Sequence, residues 1–255
     1  LMDEYQKIVS ISSIRSTILN GFVSIVFLSW IVAMIAILFR KHISKNYKET
    51  TFFILKELLK IGIVMPLSFM ITPIMNFKTP LAISLGIIII TLTIYLISKV
   101  LIKNDLKNML FFTGLTIVIM VIDAGFGSYL MKSNVMSYDC IIGARYYGVG
   151  NEYQGVAIGS AIFTFAILLT YKNIPKWSII VFSLVILITS ASPIMGANVG
   201  SAISECVAFL LFILLIYNVK IDFKKIVLLG IAVVFVLGVF VAIDMILGSN
   251  SHLGM

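Results

Sequence analysis

Charge is what this chain has least of. Only 12% of its 255 residues are Asp, Glu, Lys or Arg, while 60% are hydrophobic. A water-soluble domain is about a quarter charged and about half apolar. That excludes an ordinary soluble core and leaves the lipid bilayer as the solvent. Histidine is nearly as scarce: His42 and His252 are the two in the chain. There is no HExxH pair, no DDxxD cluster, no P-loop and no Rossmann fingerprint. The basic residues are dispersed and form no aromatic-rich patch, which excludes nucleic acid as the partner. The formal net charge of +8 instead reads as a topology signal and as attraction to anionic lipid headgroups.

What is present is a series of apolar runs separated by short polar gaps. A spanning helix needs about 20 apolar residues. The runs at about 17–39, 52–76, 80–102, 108–130, 153–171, 177–191, 201–218 and 226–247 predict about eight transmembrane helices. The predicted fold is an all-α, polytopic bundle over 17–255, with no room for a separate soluble domain. Residues 1–16 are mixed and polar, and read as an extracytoplasmic linker or a short interfacial helix. Lys56, Glu57 and Lys60 interrupt the start of the second run, and snorkelling lysines would accommodate them.

The gaps alternate in charge. Those at 40–51, 103–107, 172–176 and 220–225 hold eleven Lys and Arg, while the other four hold three, Lys78, Lys132 and Arg145. Basic gaps stay on the cytoplasmic side, so both termini are expected outside. Cys140 and Cys206 then both lie near the outer face. A disulfide between them is open, and two unpaired small apolar side chains are the favoured reading. The chain starts with Leu, and its first 18 residues lack the basic-then-apolar order of a signal peptide. A piece of a longer polypeptide is expected.

This topology puts the polar chemistry outside. The gap GARYYGVGNEYQG (143–155) carries Arg145, Tyr147, Asn151 and Glu152 among four glycines. Arginine is a planar five-donor fork suited to phosphate or carboxylate. An ordinary loop with tyrosines in the interfacial aromatic belt is the plainer reading. SPIMGANVGSAISE (192–205) places Asn198 between Gly196 and Gly200, with Glu205 about one helical turn inside the membrane. A carboxylate there is costly and marks a site or pathway by default. Small-residue helix packing at Gly196 and Gly200 is the alternative, and both can hold. The Gly155–xxx–Gly159 spacing is read as close helix packing.

Asp123 in the fourth run, Asp139 in the gap after it, Asp244 near the end of the last run and His252 complete the set. His252 has the chemistry of a general base, a metal ligand or a phosphate partner. Five carboxylates and one histidine allow a divalent cation through oxygen ligands, an acid/base pair or a cation path. No spacing singles out a metal site, and the cofactor stays open.

The stretches GARYYGVGNEYQGVAIG, GANVG and SHLG resemble a group of uncharacterised bacterial multi-pass membrane proteins. Members carry Arg-(Phe/Tyr)-Tyr-Gly-(Ile/Val)-Gly-Asn-Glu, then Gly-Ala-(Asn/Asp)-(Val/Phe)-Gly, then (Ser/Thr)-His-Leu-Gly, and the likeness covers roughly residues 10–255. In some members this region follows an extracytoplasmic domain similar to the alkaline phosphatase/phosphoglyceromutase superfamily. ISSIRSTILNG (11–21) would be the junction with such an upstream partner domain. A looser likeness is to O-antigen polymerases and ligases, which act on undecaprenyl-linked sugars. Their Ser-Arg-Gly element is absent here, with GANVG in its place. The resemblances imply a protein of the bacterial cytoplasmic membrane and cell envelope. The expected function is an enzyme acting outward on a lipid-linked or phosphate-bearing glycan. Glu152 and His252 are its candidate acid/base pair. Arg145, Tyr147, Asn151, Asn198, Glu205, Asp123 and Asp244 are candidates for substrate binding. A flippase-like carrier, or an anchor for a missing domain, are the alternatives.

Overall fold

A computed structural model describes residues 2–39, 41, 45–137, 139, 141, 148–192, 195, 196 and 198–247, with backbone alone at 2–4, 45, 46, 199, 201, 237, 240, 241 and 243–247. Among these residues the chain is all-helical, without a strand. The helices are α1 (Met2–Leu38), α2 (Lys45–Ile71), α3 (Pro80–Leu101), α4 (Asp105–Gly125), α5 (Tyr129–Lys132), α6 (Asn151–Tyr171), α7 (Lys176–Ala191), α8 (Val199–Ile216) and α9 (Phe223–Leu247). A 3₁₀ turn, Thr72–Met75, extends α2.

Five segments are long and apolar enough to cross a membrane: Tyr5–Leu38, Tyr47–Met75, Pro80–Leu101, Asp105–Gly125 and Asn151–Tyr171. Of the apolar stretch in the first, 17% is buried inside the protein. Its remaining Leu, Ile, Val and Phe side chains need an apolar solvent, which the bilayer supplies. The chain is therefore a membrane-embedded helical protein. Lys176–Ala191 and Ala202–Ile216 are shorter apolar helices. At 1.5 Å per residue, α7 is about 24 Å long, somewhat under the bilayer's hydrocarbon thickness.

Local chemistry sets the helix ends. Thr79 accepts the Ala82 N–H at 3.3 Å, and Pro80 opens α3 where its missing N–H costs nothing. Asn104 caps α4 through the Lys107 N–H at 3.0 Å. Pro175 stands before the first residue of α7. Asp222 accepts the Lys225 N–H at 3.0 Å at the head of α9, and that bond holds its carboxyl below the usual carboxylate range.

Two helix ends differ from the apolar runs. Residues 2–16 continue α1 without a break. Lys7 donates to the Pro73 carbonyl at 3.2 Å, Ser12 to the Asp139 carboxylate at 2.8 Å and Arg15 to the Ser137 carbonyl at 2.8 Å. Ile11 is buried on the same helix. The fourth run, expected to reach 130, ends as a helix at Gly125, because Gly127 and Ser128 adopt left-handed backbone.

The chain divides into two compact units. The first comprises 1–112 and 133–142, the second 113–132 and 143–255. In the first, α1, α2 and α3 pack pairwise. Phe22 meets Phe69 edge-to-face at 5.6 Å, and Val64, Leu67, Met70, Ile83 and Ile87 are buried. Lys60 does not snorkel as the interrupted run suggested. Its side chain is 7% exposed and salt-bridged to Glu57 at 2.9 Å and to Asp105. Lys56 pairs with Asp105 at 2.6 Å, Lys99 with Glu57 at 3.2 Å, and Tyr95 donates to Glu57. A charge at this depth is kept by oppositely charged partners rather than by reach to water.

In the second unit α8 packs on α6, α7 and α9, and α6 packs on α7. One core cluster joins Ile117, Ala161, Phe165, Ile179, Ile186 and Phe209. A second joins Leu187, Ala191, Ala202, Cys206 and Val233. Thr113 and Thr164 share a hydrogen bond of 2.8 Å between α4 and α6, a contact worth roughly 0.6 kcal/mol inside a membrane.

Candidate functional site

The second unit brings two of the glycine-rich loops together. One leads into α6 through Gly148, Val149 and Gly150; the other runs from Ser192 to Asn198 and leads into α8. The Val149 N–H donates to the Gly196 carbonyl at 2.9 Å. The Gly196 and Asn198 amides return to the last turn of α7, to Thr189 O at 2.9 Å and Ser190 O at 3.1 Å. Asn198 is 2% exposed, and its Nδ2 donates to the Val149 carbonyl and to Asn151 Oδ1, both at 2.9 Å. One buried carboxamide thus fastens the N-terminus of α8 to the N-terminus of α6.

Two glycines make this possible. Gly148 has φ +88°, a conformation that L side chains avoid. A Cβ on Gly196 would stand 2.2 Å from the Ser190 carbonyl oxygen. Gly196 is therefore required by a loop closing on α7 rather than by helix-on-helix packing. Gly155 and Gly159, expected at a close helix contact, have nothing within 4 Å of an added Cβ among the described residues. That expectation is corrected: the pair faces open space.

Beneath the loop junction lies a fully buried polar group. Gln154 on α6, Ser190 on α7 and Glu205 on α8 are 2%, 0% and 0% exposed. Gln154 Nε2 donates to Ser190 Oγ at 2.9 Å and to Glu205 Oε1. Ser190 Oγ lies 3.0 Å from Glu205 Oε1 and 2.9 Å from the Ile186 carbonyl, so its one proton has two acceptors. Glu205 is six residues past the start of α8, roughly 9 Å along the axis. Ser190 had no sequence signal beyond a hydroxyl in an apolar helix; its position opposite Glu205 is a property of the fold.

The other candidates fall as follows. Glu152 lies in the first turn of α6, half-buried. The Asp123 carboxylate is buried and accepts the Leu130 N–H at 2.8 Å on one oxygen and the Met131 N–H at 2.9 Å on the other. It holds the turn into α5, a structural task that occupies both oxygens. Asp139 belongs to the first unit, where it accepts from Ser12 and from the Ile141 N–H at 2.8 Å. Arg145, Tyr147, Cys140 and His252 lie outside the described residues, as does the side chain of Asp244. Cys206 is a free, buried thiol. Among the described residues no three His, Cys, Asp or Glu side chains stand close enough together to hold a metal ion.

Comparison with family models, with curated proteins and with solved structures finds no match for this chain.

Proposed function

We propose that this is a multi-pass protein of the bacterial cytoplasmic membrane, with about eight spans and both termini extracytoplasmic. Its outward-facing site takes a phosphate-bearing, lipid-linked or polymeric glycan and acts on it as an enzyme. The observation that carries the reading is the hydrogen-bonded junction of the α6 and α8 N-termini. Helix N-termini carry the positive end of the helix dipole, which favours an anion such as phosphate. Arg145 precedes that junction in the same loop and supplies a bidentate charge for it. Asn151 and Asn198 orient the substrate, and Glu152 or His252 moves the proton. Arg145 acts catalytically to the extent that it meets charge developing in the transition state.

The test is binding of a polyprenyl phosphate to the full chain in lipid nanodiscs. Arg145→Ala is expected to weaken binding about 10- to 100-fold, the loss of one charge-assisted contact, with Tm unchanged. Wild-type protein that ignores the probe overturns the reading. A carrier is the second reading, favoured by the buried carboxyl of Glu205 below the starts of α6 and α8. Movement of a labelled lipid across liposomes without its chemical conversion would select it.

A further inference from the structure

We infer that Glu205 Oε2 and Gln154 Oε1 form a binding site for one small monovalent cation, Na⁺ or a proton, inside the second unit. Two linked observations carry this. First, both side chains are at least 98% buried, yet these two acceptor oxygens have no hydrogen-bond partner among the described residues. Secondly, the donors are unevenly shared. Gln154 Nε2 and Ser190 Oγ both point to Glu205 Oε1, leaving Oε2 bare. A buried uncompensated charge is strongly unfavourable. Among the described residues no Lys or Arg is salt-bridged to Glu205. One positive charge at Oε2 removes the penalty, and Gln154 Oε1 supplies the second oxygen. A proton on Oε2 donates to an acceptor such as Gln154 Oε1. Na⁺ takes both oxygens as hard ligands.

The groups on the helices packed around the site are few. α6 carries Glu152 and Tyr153, with Tyr171 at its far end, and α8 carries Cys206; α4, bonded to α6 through Thr113 and Thr164, carries Asp123. α7 carries none beyond Lys176 at its far end. α9 carries Lys224 and Lys225 at its far end, and Asp244 with its carboxyl outside the described side chains. The site needs no phosphate and stands or falls apart from the proposed substrate.

The experiment is thermal unfolding of the full chain in detergent, without substrate. NaCl is exchanged for choline chloride at fixed ionic strength, and pH is varied separately in choline. A bound cation at saturation is expected to raise Tm by about 5–10 °C. If Na⁺ raises Tm in wild type and not in Glu205→Gln, the ligand is Na⁺. If acid alone does so, with Glu205→Gln flat, the ligand is the proton. Wild type and Glu205→Gln responding identically to both overturns the inference. Should Glu205→Gln fail to fold, the infrared carboxyl band of unaltered protein decides. A protonated-carboxyl band that persists above about pH 6, where exposed carboxylates are ionised, and is lost on adding Na⁺ or base supports the site, and the lack of such a band in choline overturns it.

Discussion

Gly196 and Gly155 look alike in the sequence, each the first of a Gly-xxx-Gly pair, yet their surroundings differ. An added methyl at Gly196 meets the Ser190 backbone at 2.2 Å, while at Gly155 it meets nothing within 4 Å among the described residues. Backbone cannot swing aside as a side chain does, so Gly196→Ala must displace the loop that carries the Val149 and Asn198 hydrogen bonds. The expected cost is about 2 kcal/mol, a fall of about 5 °C in Tm. Gly155→Ala lies in an open helix face, where Ala is the better helix former by about 0.5–1 kcal/mol. Its Tm should hold or rise. Thermal unfolding of both variants in one detergent checks the pair, and equal falls would contradict the loop geometry. Spacing marks small residues but not what faces them, so the sequence could not separate the two glycines. It drew attention to Asn198 and Glu205, because a carboxylate and a carboxamide at that depth have few bland explanations, and both side chains are buried. Gln154 stood in the candidate stretch 143–155, but Ser190, and the bonds of both to Glu205, become visible only when α6, α7 and α8 are packed.

At the scale of elements, apolar runs located the helices well, because a bilayer permits little else. Their ends were less legible, since they depend on single capping side chains and left-handed residues such as Ser128. The charges inside α2 were the least legible. Lys60 reads as a snorkelling residue until Asp105, Tyr95 and Lys99 arrive from α3 and α4, some 40 residues away in sequence. The resulting network ties three helices of the first unit. Lys60→Met removes the central cation and leaves Glu57, 13% exposed, and Asp105 dependent on Lys99 and Lys56. Breaking one side of a buried pair costs about 3 kcal/mol. Replacing both partners by apolar residues costs less, because no buried charge is left over. Lys60→Met is therefore expected to lower Tm more than the double variant Lys60→Met, Glu57→Leu. Calorimetry of the two in lipid nanodiscs decides, and a double variant less stable than the single would mean that the network contributes net stability.

At the scale of the molecule the decisive quantity is which face of the membrane each loop occupies. Helix packing is the same whichever way the bundle is inserted. Orientation must therefore come from the charges: eleven Lys and Arg in one alternate set of gaps, three in the other. Retention of basic loops on the cytoplasmic side gives that asymmetry its physical meaning. Exposed lysines occur in gaps of both sets, so each can serve as a reporter. In a background of Cys140→Ser and Cys206→Ser, Lys78→Cys and Lys132→Cys should react with a membrane-impermeant maleimide in intact cells. Lys48→Cys, Lys103→Cys, Lys172→Cys and Lys220→Cys should react only after permeabilisation. The α6–α8 junction follows the same gaps as Lys132, so this experiment also decides which compartment supplies its ligand. The expected pattern leaves an extracytoplasmic glycan-phosphate as the substrate class to pursue. The reversed pattern would turn the junction to the cytoplasm, and an outward-acting envelope enzyme would be ruled out whatever Arg145 binds.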